Sequence, residues 1–357
     1  MTVLDATALL DLARRDVERG RLPACQLAVA RDGEVVLFES FGDATNATRF
    51  HAFSATKPIV SSAIWLLIGE GVLDVARAVS HYVPELASDA MGAVTVEQVL
   101  LHTAGFPNAP MAPTDGADAT RRRRQFAHWR LEWEPGSRFV YHASSAHWVL
   151  ADLIERLGGV DFRDFVEQRV CRPLGLPRLL GLAVDHTAAA APAAAIAPLV
   201  PVGGESAERD EMIRLFDDPD VRAAGVPGGG GIMTAADLAR FYQALLHNPG
   251  RLWSPDVLAE AKGRIRCTLP DPLLGAPVNR TMGLVVAGSD GLHTLRYAGF
   301  GEANSPGSFG HAGAHMQIGW ADPASGTSFA YLTNGLGDDQ LREGVRGVRL
   351  SGAAAAL

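Results

Sequence analysis

The sequence predicts an α+β fold: one antiparallel sheet built from both termini and flanked by helices, with a mainly helical lobe inserted between them. Three observations carry that prediction. Strand-like runs occupy residues 24–30 and 34–41 near the start, and 282–287, 316–321 and 327–334 near the end. The stretch from about 74 to 225 turns helical and loop-rich. The paired runs are joined by short turn chemistry, Asp32-Gly33 in the first case and Asp322-Pro323-Ala324-Ser325-Gly326 in the last, which brings neighbours together antiparallel. The expected lobes are 1–75 with 225–357 for the sheet, and 76–224 for the helices and substrate-lining loops.

In chain order, residues 3–20 alternate Leu with Asp, Arg and Glu at helical spacing and stop at Gly20. The hairpin follows. Residues 59–68 form an apolar helical run ending near Gly69 and Gly71, and Thr95-Val96-Glu97-Gln98 reads as a capping box. The run Arg121 to Arg124 reads as a solvated helix face, and 144–157 as another helix. Residues 188–197, rich in Ala and Pro, read as a loop, and 188–225 as pocket lining. After Gly228-Gly229-Gly230-Gly231 a helix is expected over 234–246, and a closing helix over 338–350.

Composition narrows the class. Apolar residues make up 47% and charged residues 20% of the chain, a soluble globular profile. A net charge of −8 argues against nucleic-acid and anionic-membrane binding. No apolar run is long enough to span a bilayer, and the first twenty residues lack the continuous apolar core of an export signal, so a cytoplasmic setting is expected. Cys25, Cys171 and Cys267 are odd in number and far apart, implying neither a disulfide framework nor a metal knuckle. No His-Glu-x-x-His pattern, Gly-Lys-Ser/Thr phosphate loop or Gly-x-Ser-x-Gly elbow occurs, so neither a metal nor another cofactor is expected.

The chemistry starts at Ser54. Of 32 basic residues only Lys57 and Lys262 are lysine, and Lys57 stands three positions after Ser54 at the head of the apolar helix. Arginine serves as well for a surface charge but does not readily give up its proton, whereas lysine does. With Ser54 at a helix start, Lys57 comes one turn later on the same face, within reach of the serine oxygen. Pro58 suits a first helical turn, and the helix N-terminus favours an oxyanion forming at Ser54. A neutral amine beside the hydroxyl would make a nucleophile of it. On its own, Ser-x-x-Lys also fits a packed core helix.

Two further segments extend the pattern: Tyr141, on a loop just before the 144–157 helix, and His311-Ala312-Gly313 ahead of a strand. In this order and spacing, Ser-x-x-Lys, Tyr and His-x-Gly resemble the serine β-lactamase and penicillin-binding-protein superfamily, in its class C-like branch with the family VIII carboxylesterases. The resemblance extends over nearly the whole chain, through Leu100-Leu101-His102-Thr103-Ala104-Gly105 and Gly319-Trp320-Ala321-Asp322-Pro323. It implies a serine β-lactamase-like fold with Ser54 as the acylated nucleophile. Lys57 would act as base or hold Tyr141 as a phenolate, and Tyr141 would pass protons to the leaving group and later activate water. The N–H groups of Ser54 and Ala314 would form the oxyanion hole, with His311, Gly313, Ala143 and His315 facing the substrate. His102 is read as structural, holding a loop beside the site.

Two departures from the family pattern direct the functional expectation. Ala143 stands where β-lactam-handling relatives carry an amide-binding asparagine, and His311 replaces the lysine that meets a β-lactam carboxylate. His315 and Met316 replace small residues, which reshapes the pocket wall. Acyl transfer survives these losses, and esters need less leaving-group help than amides. The expectation is therefore a serine carboxylesterase for short or medium acyl esters of small molecules. An acyltransferase with an alcohol or amine acceptor is the alternative. Behind both stand a β-lactamase or D-amino-acid peptidase and a catalytically idle binding relative.

Overall fold

The computed structural model of the chain describes residues 5–88, 91–182, 195–296 and 299–357. Its centre is a six-stranded antiparallel sheet of β1 (Ala24–Arg31), β2 (Glu34–Gly42), β3 (Val285–Val286), β4 (Phe309–Gly313), β5 (Gln317–Asp322) and β6 (Thr327–Thr333), in spatial order β2-β1-β6-β5-β4-β3. The chain ends thus meet at the centre, where β1 pairs with β6 from Cys25 opposite Thr333 to Arg31 opposite Thr327. The turn at Asp32-Gly33 has both residues at positive φ, 54° and 83°, as a two-residue hairpin requires.

Alternation along the strands splits the core in two. Leu27, Val29, Trp320, Phe329 and Tyr331 face the Thr7–Glu18 and Gln340–Ala355 helices, meeting Leu9, Ala13, Leu350 and Ala354. Ala28, Ala30, Phe309, Ala321 and Ala330 face the Ala235–His247 helix and, beyond it, the larger helical core around Trp65, Trp148 and Phe162. The Lys57–Gly69 helix is buried over nearly its whole length, so it is apolar on every side. Both expected helix starts are capped: Thr95 with Gln98 and Thr234 with Asp237 form reciprocal capping boxes.

Three expectations change. The strand expected over 282–287 shortens to Val285–Val286, because the chain turns at 281–284 through Gly283 at φ 108°; a Cβ there would stand 2.4 Å from Ser61 Cβ. The closing helix starts two residues later and runs on through the Ala-rich tail to Ala355. The Arg121–Arg124 run is not wholly solvated, since Arg122 is fully buried and bonded to Asp152 and Glu155. Of the expected loop at 188–197, residues 188–194 lie outside the described residues. Among the described residues no helix is long and apolar enough to cross a membrane.

Candidate active site

Ser54 lies in a tight 3-10 turn, Phe53–Thr56, that runs straight into the Lys57–Gly69 helix with Pro58 in its first turn. The residue before it, Phe53, has φ 43°. A bulky side chain in the left-handed region costs roughly 1–2 kcal/mol and persists only where the surroundings enforce it. Here the Phe216 ring, 5.0 Å from that of Phe53, helps to do so.

Lys57 Nζ lies 3.1 Å from Ser54 Oγ, 2.8 Å from the Ala143 carbonyl oxygen and 2.7 Å from that of Gly228. An ammonium would donate to all three oxygens; a neutral amine has two N–H donors and one lone pair, and with the donors on the two carbonyls its lone pair would be left for the Ser54 hydroxyl proton. Burial, with a smaller contribution from the Arg280 guanidinium, pushes the Lys57 pKa well below the usual amine value. Burial pushes the Tyr141 phenol up to about 12, opposed by Arg280 and by a hydrogen bond with Ser54. The neutral amine and neutral phenol are therefore favoured over the ammonium–phenolate pair of equal proton count.

The Tyr141 segment is fixed by histidines. His142 Nδ1–H donates to Val140 O at 2.6 Å, its Nε2 accepts from Phe106 N at 3.1 Å, and its backbone N–H donates to His102 Nδ1 at 3.1 Å. The His102 ring packs 4.7 Å from the Tyr141 ring, which fits the structural role read for it. Burial drives both imidazoles down, that of His142 to about 4, so both are neutral acceptors near pH 7.

Strand β4 brings the other half of the site. A Cβ on Gly313 would stand 2.2 Å from Ala52 O and 3.1 Å from Ser54 N, so only glycine lets this strand end beside the nucleophile. Ala314 follows it, placing the two expected oxyanion donors on adjoining segments. Gly313→Val is expected to lower kcat at least about 100-fold, the scale of losing one oxyanion donor, with steady-state ester hydrolysis as the check. His315 and Met316 then turn at φ 55° and 60°. His315 Nδ1 is held 3.0 Å from Glu343, whose carboxylate also accepts from Gly337 N at 2.8 Å, tying this loop to the C-terminal helix. A cleft of about 820 Å³ opens here, lined by Met212, Leu273, Leu295, Ala314, Met316 and Leu341 among others. Within the described part of 188–225, Ser206, Glu208, Arg209 and Met212 reach it.

Two residues expected to face the substrate, His311 and Ala143, are placed otherwise. His311 is fully buried: its Nδ1–H donates to Ala312 O at 2.7 Å and its Nε2 faces Arg280 Nη1 at 3.3 Å. Burial, then Arg280 and Lys57, hold its pKa well below the ordinary imidazole value, so it is neutral rather than partly cationic and supports the site from behind. Ala143 acts through its carbonyl on Lys57. Gly228, set aside because no phosphate-loop signature follows it, supplies the second carbonyl, and its neighbours are glycines because a Cβ on Gly230 or Gly231 would stand 2.5 Å from Val226 N or Thr56 Oγ1. One residue was not anticipated: Arg280, buried, with its guanidinium 5.1 Å from the centre of the Tyr141 ring and 5.3 Å from that of Phe139.

The sequence signature of the family described as Beta-lactamase matches residues 9–354. The chain belongs to the Beta-lactamase family. Within it, the chain is similar to the Esterase/beta-lactamase LipL of Mycobacterium tuberculosis, 25% identical over 352 residues, covering 87% of this chain and 76% of that protein. It is also similar to Esterase EstB of Burkholderia gladioli, 29% identical over 295 residues, 72% of this chain and 73% of that one. Among solved structures, a family VIII carboxylesterase superposes with a TM-score of 0.79 at 25% identity, covering 98% of this chain and 97% of the other. The Beta-lactamase fold expected from the Ser, Tyr and His-x-Gly motifs is thus the one observed.

Proposed function

We propose that the protein is a serine carboxylesterase that hydrolyses short to medium acyl esters of small molecules through an acyl-enzyme at Ser54. The observation that carries this reading is the Lys57 amine, buried 3.1 Å from Ser54 Oγ and hydrogen-bonded to the Ala143 and Gly228 carbonyls, a placement in which the neutral amine can take the hydroxyl proton. The relative named Esterase EstB supports the choice of ester over amide. So does the substitution of Ala143 and His311 for the groups that would grip a charged, amide-bearing ring. A cytoplasmic setting belongs to the same reading.

In the acylation half-reaction, Ser54 Oγ attacks the ester carbonyl and its proton passes to Lys57. The carbonyl oxygen takes up negative charge between the Ser54 and Ala314 N–H groups. Collapse of the intermediate breaks the bond to the alcohol oxygen, which receives a proton relayed from Lys57 through Tyr141. Water then attacks the acyl carbon and gives a proton to the same relay; the bond from that carbon to Ser54 Oγ breaks, the relay returns the proton to Ser54 Oγ, and the acid leaves. The apolar part of the cleft lining, Met212, Leu273, Leu295, Met316 and Leu341, suits the hydrocarbon part of the ester, each buried methylene adding about 0.8 kcal/mol, or roughly fourfold, to kcat/KM.

The test is intact-protein mass spectrometry during turnover of p-nitrophenyl esters from acetate to octanoate, with absorbance followed in parallel. The expected result is one acyl adduct, mapped by peptide digestion to Ser54, with steady p-nitrophenolate release that rises along the series. Added alcohols separate hydrolase from transferase: transesterified product in place of free acid would favour the acyltransferase alternative. Neither adduct nor turnover across the series would overturn the esterase reading in favour of a binding role.

A further inference from the structure

Arg280 has no place in the acyl-transfer scheme above, yet it occupies the centre of the site's electrostatics. Its backbone is fixed on both sides, with its N–H donating to Cys267 O at 3.0 Å and its carbonyl accepting from Arg266 N at 2.8 Å. Its guanidinium packs against the rings of Phe139 and Tyr141 and donates toward His311 Nε2 at 3.3 Å. Lys57 Nζ lies 5.0 Å from the centre of the same Tyr141 ring. One aromatic ring therefore has a permanent cation and a titratable amine as neighbours.

We infer that Arg280 is a positioning residue whose fixed positive charge, set against the same Tyr141 ring that Lys57 faces, adds to burial in disfavouring a second cation at Lys57 and steadies the negative charge that builds on Tyr141 as it relays the proton. The inference rests on the acyl-enzyme reading for its consequence in catalysis, but its physical content is independent of any substrate. Arginine suits the role because it stays charged even when buried, where a lysine would lose its proton. Histidine at position 311 completes the device. A lysine there would add a second titratable amine, whereas the buried imidazole only accepts a hydrogen bond from the guanidinium.

The groups that act on Lys57 and Tyr141 come from several elements: His102 from the loop after the Val96–Leu100 helix, His142 from the Tyr141 segment, His147 from the Ser145–Gly158 helix, His311 from β4, and Arg280 itself. The four imidazoles are all held neutral, chiefly by burial. They cannot substitute for Arg280 as a source of charge near neutral pH. The same field lowers the basicity of Lys57 and Tyr141 alike, so removing it shifts both titrations upward.

Because the chain holds only two lysines, the prediction can be read directly. In the full chain carrying Lys262→Arg and labelled with 13Cε-lysine, Lys57 gives the one lysine resonance, and its chemical shift reports ionisation without any substrate. In this background Lys57 is expected to be neutral at pH 7, and Arg280→Met is expected to raise its titration midpoint by about one pH unit. The acid limb of kcat/KM for p-nitrophenyl butyrate should move up by the same amount in Arg280→Met and in Arg280→Lys, because a lysine buried at this position loses its proton and with it the fixed charge. A purely structural Arg280 would lower the rate and leave both midpoints in place, overturning the inference. If Arg280→Met does not fold, the background protein still decides: Lys57 found as an ammonium at pH 7 refutes it. A titration that moves as expected in a protein without ester turnover would retain the role of Arg280 while refuting the esterase reading.

Discussion

Ser54→Ala is expected to lower ester turnover by about 10⁴- to 10⁶-fold, Lys57→Arg by nearly as much, and the double variant by no more than the worse single one. The non-additivity is the informative part. Ser54 and Lys57 are joined by one 3.1 Å contact, and the hydroxyl is a useful nucleophile only while the amine can take its proton. Once either is gone, the other has nothing left to do. Arginine is the demanding replacement at position 57. It can keep hydrogen-bonding to the Ala143 and Gly228 carbonyls, but it brings a fixed positive charge and has no lone pair to offer at any accessible pH. Single-turnover acylation with p-nitrophenyl butyrate, alongside circular dichroism to confirm folding, checks all three variants. Multiplying losses in the double variant would mean that the two side chains act independently, and retention of more than a few per cent of acylation in Lys57→Arg would remove Lys57 as the base.

That Lys57 could be found in the sequence and Arg280 could not follows from the same compositional fact. In a chain that writes arginine nearly everywhere, a lysine stands out, and its spacing from Ser54 supplies the geometry. An arginine in the same chain carries no such signal, and nothing around Asn279-Arg280-Thr281 marks it as buried. Its partners Tyr141 and His311 are 139 and 31 residues away, joined to it only by the pairing of β3 with β4 and the packing of the Tyr141 loop. The sheet was legible because its turns and alternating strands are local. The carbonyls of Ala143 and Gly228 were not, because backbone atoms leave no trace in residue identity beyond the glycines that permit their approach.

Arg122 was legible in part. A run of four arginines on a helix sweeps most of the way around its axis, so one of them must turn inward, and Arg122 lies four residues before the buried Phe126 on the same face. There it bonds Asp152 at 2.9 Å, Glu155, and the Gly116 carbonyl at 2.6 Å, while Arg123 and Arg156 share Asp152. Arg122→Met keeps the apolar bulk but removes the guanidinium bonded to Glu155. The expected cost is about 3 kcal/mol of unfolding free energy, the low end for breaking a buried pair, since Asp152 retains two arginines. The cost should also depend on pH. Burial already raises the Glu155 pKa in the folded protein and Arg122 opposes that rise. Without Arg122 it rises further, so between the unfolded carboxyl value and the new folded one the native state holds more protons than the unfolded state. Stability then falls as pH increases through that window. Urea unfolding of wild type and Arg122→Met should accordingly show a smaller deficit at pH 5 than at pH 8, with Arg122→Lys recovering part of it. A loss below about 1 kcal/mol, or one that is the same at both pH values, would mean that the buried cluster is not what fastens this helix to the Ser145–Gly158 helix behind the active site.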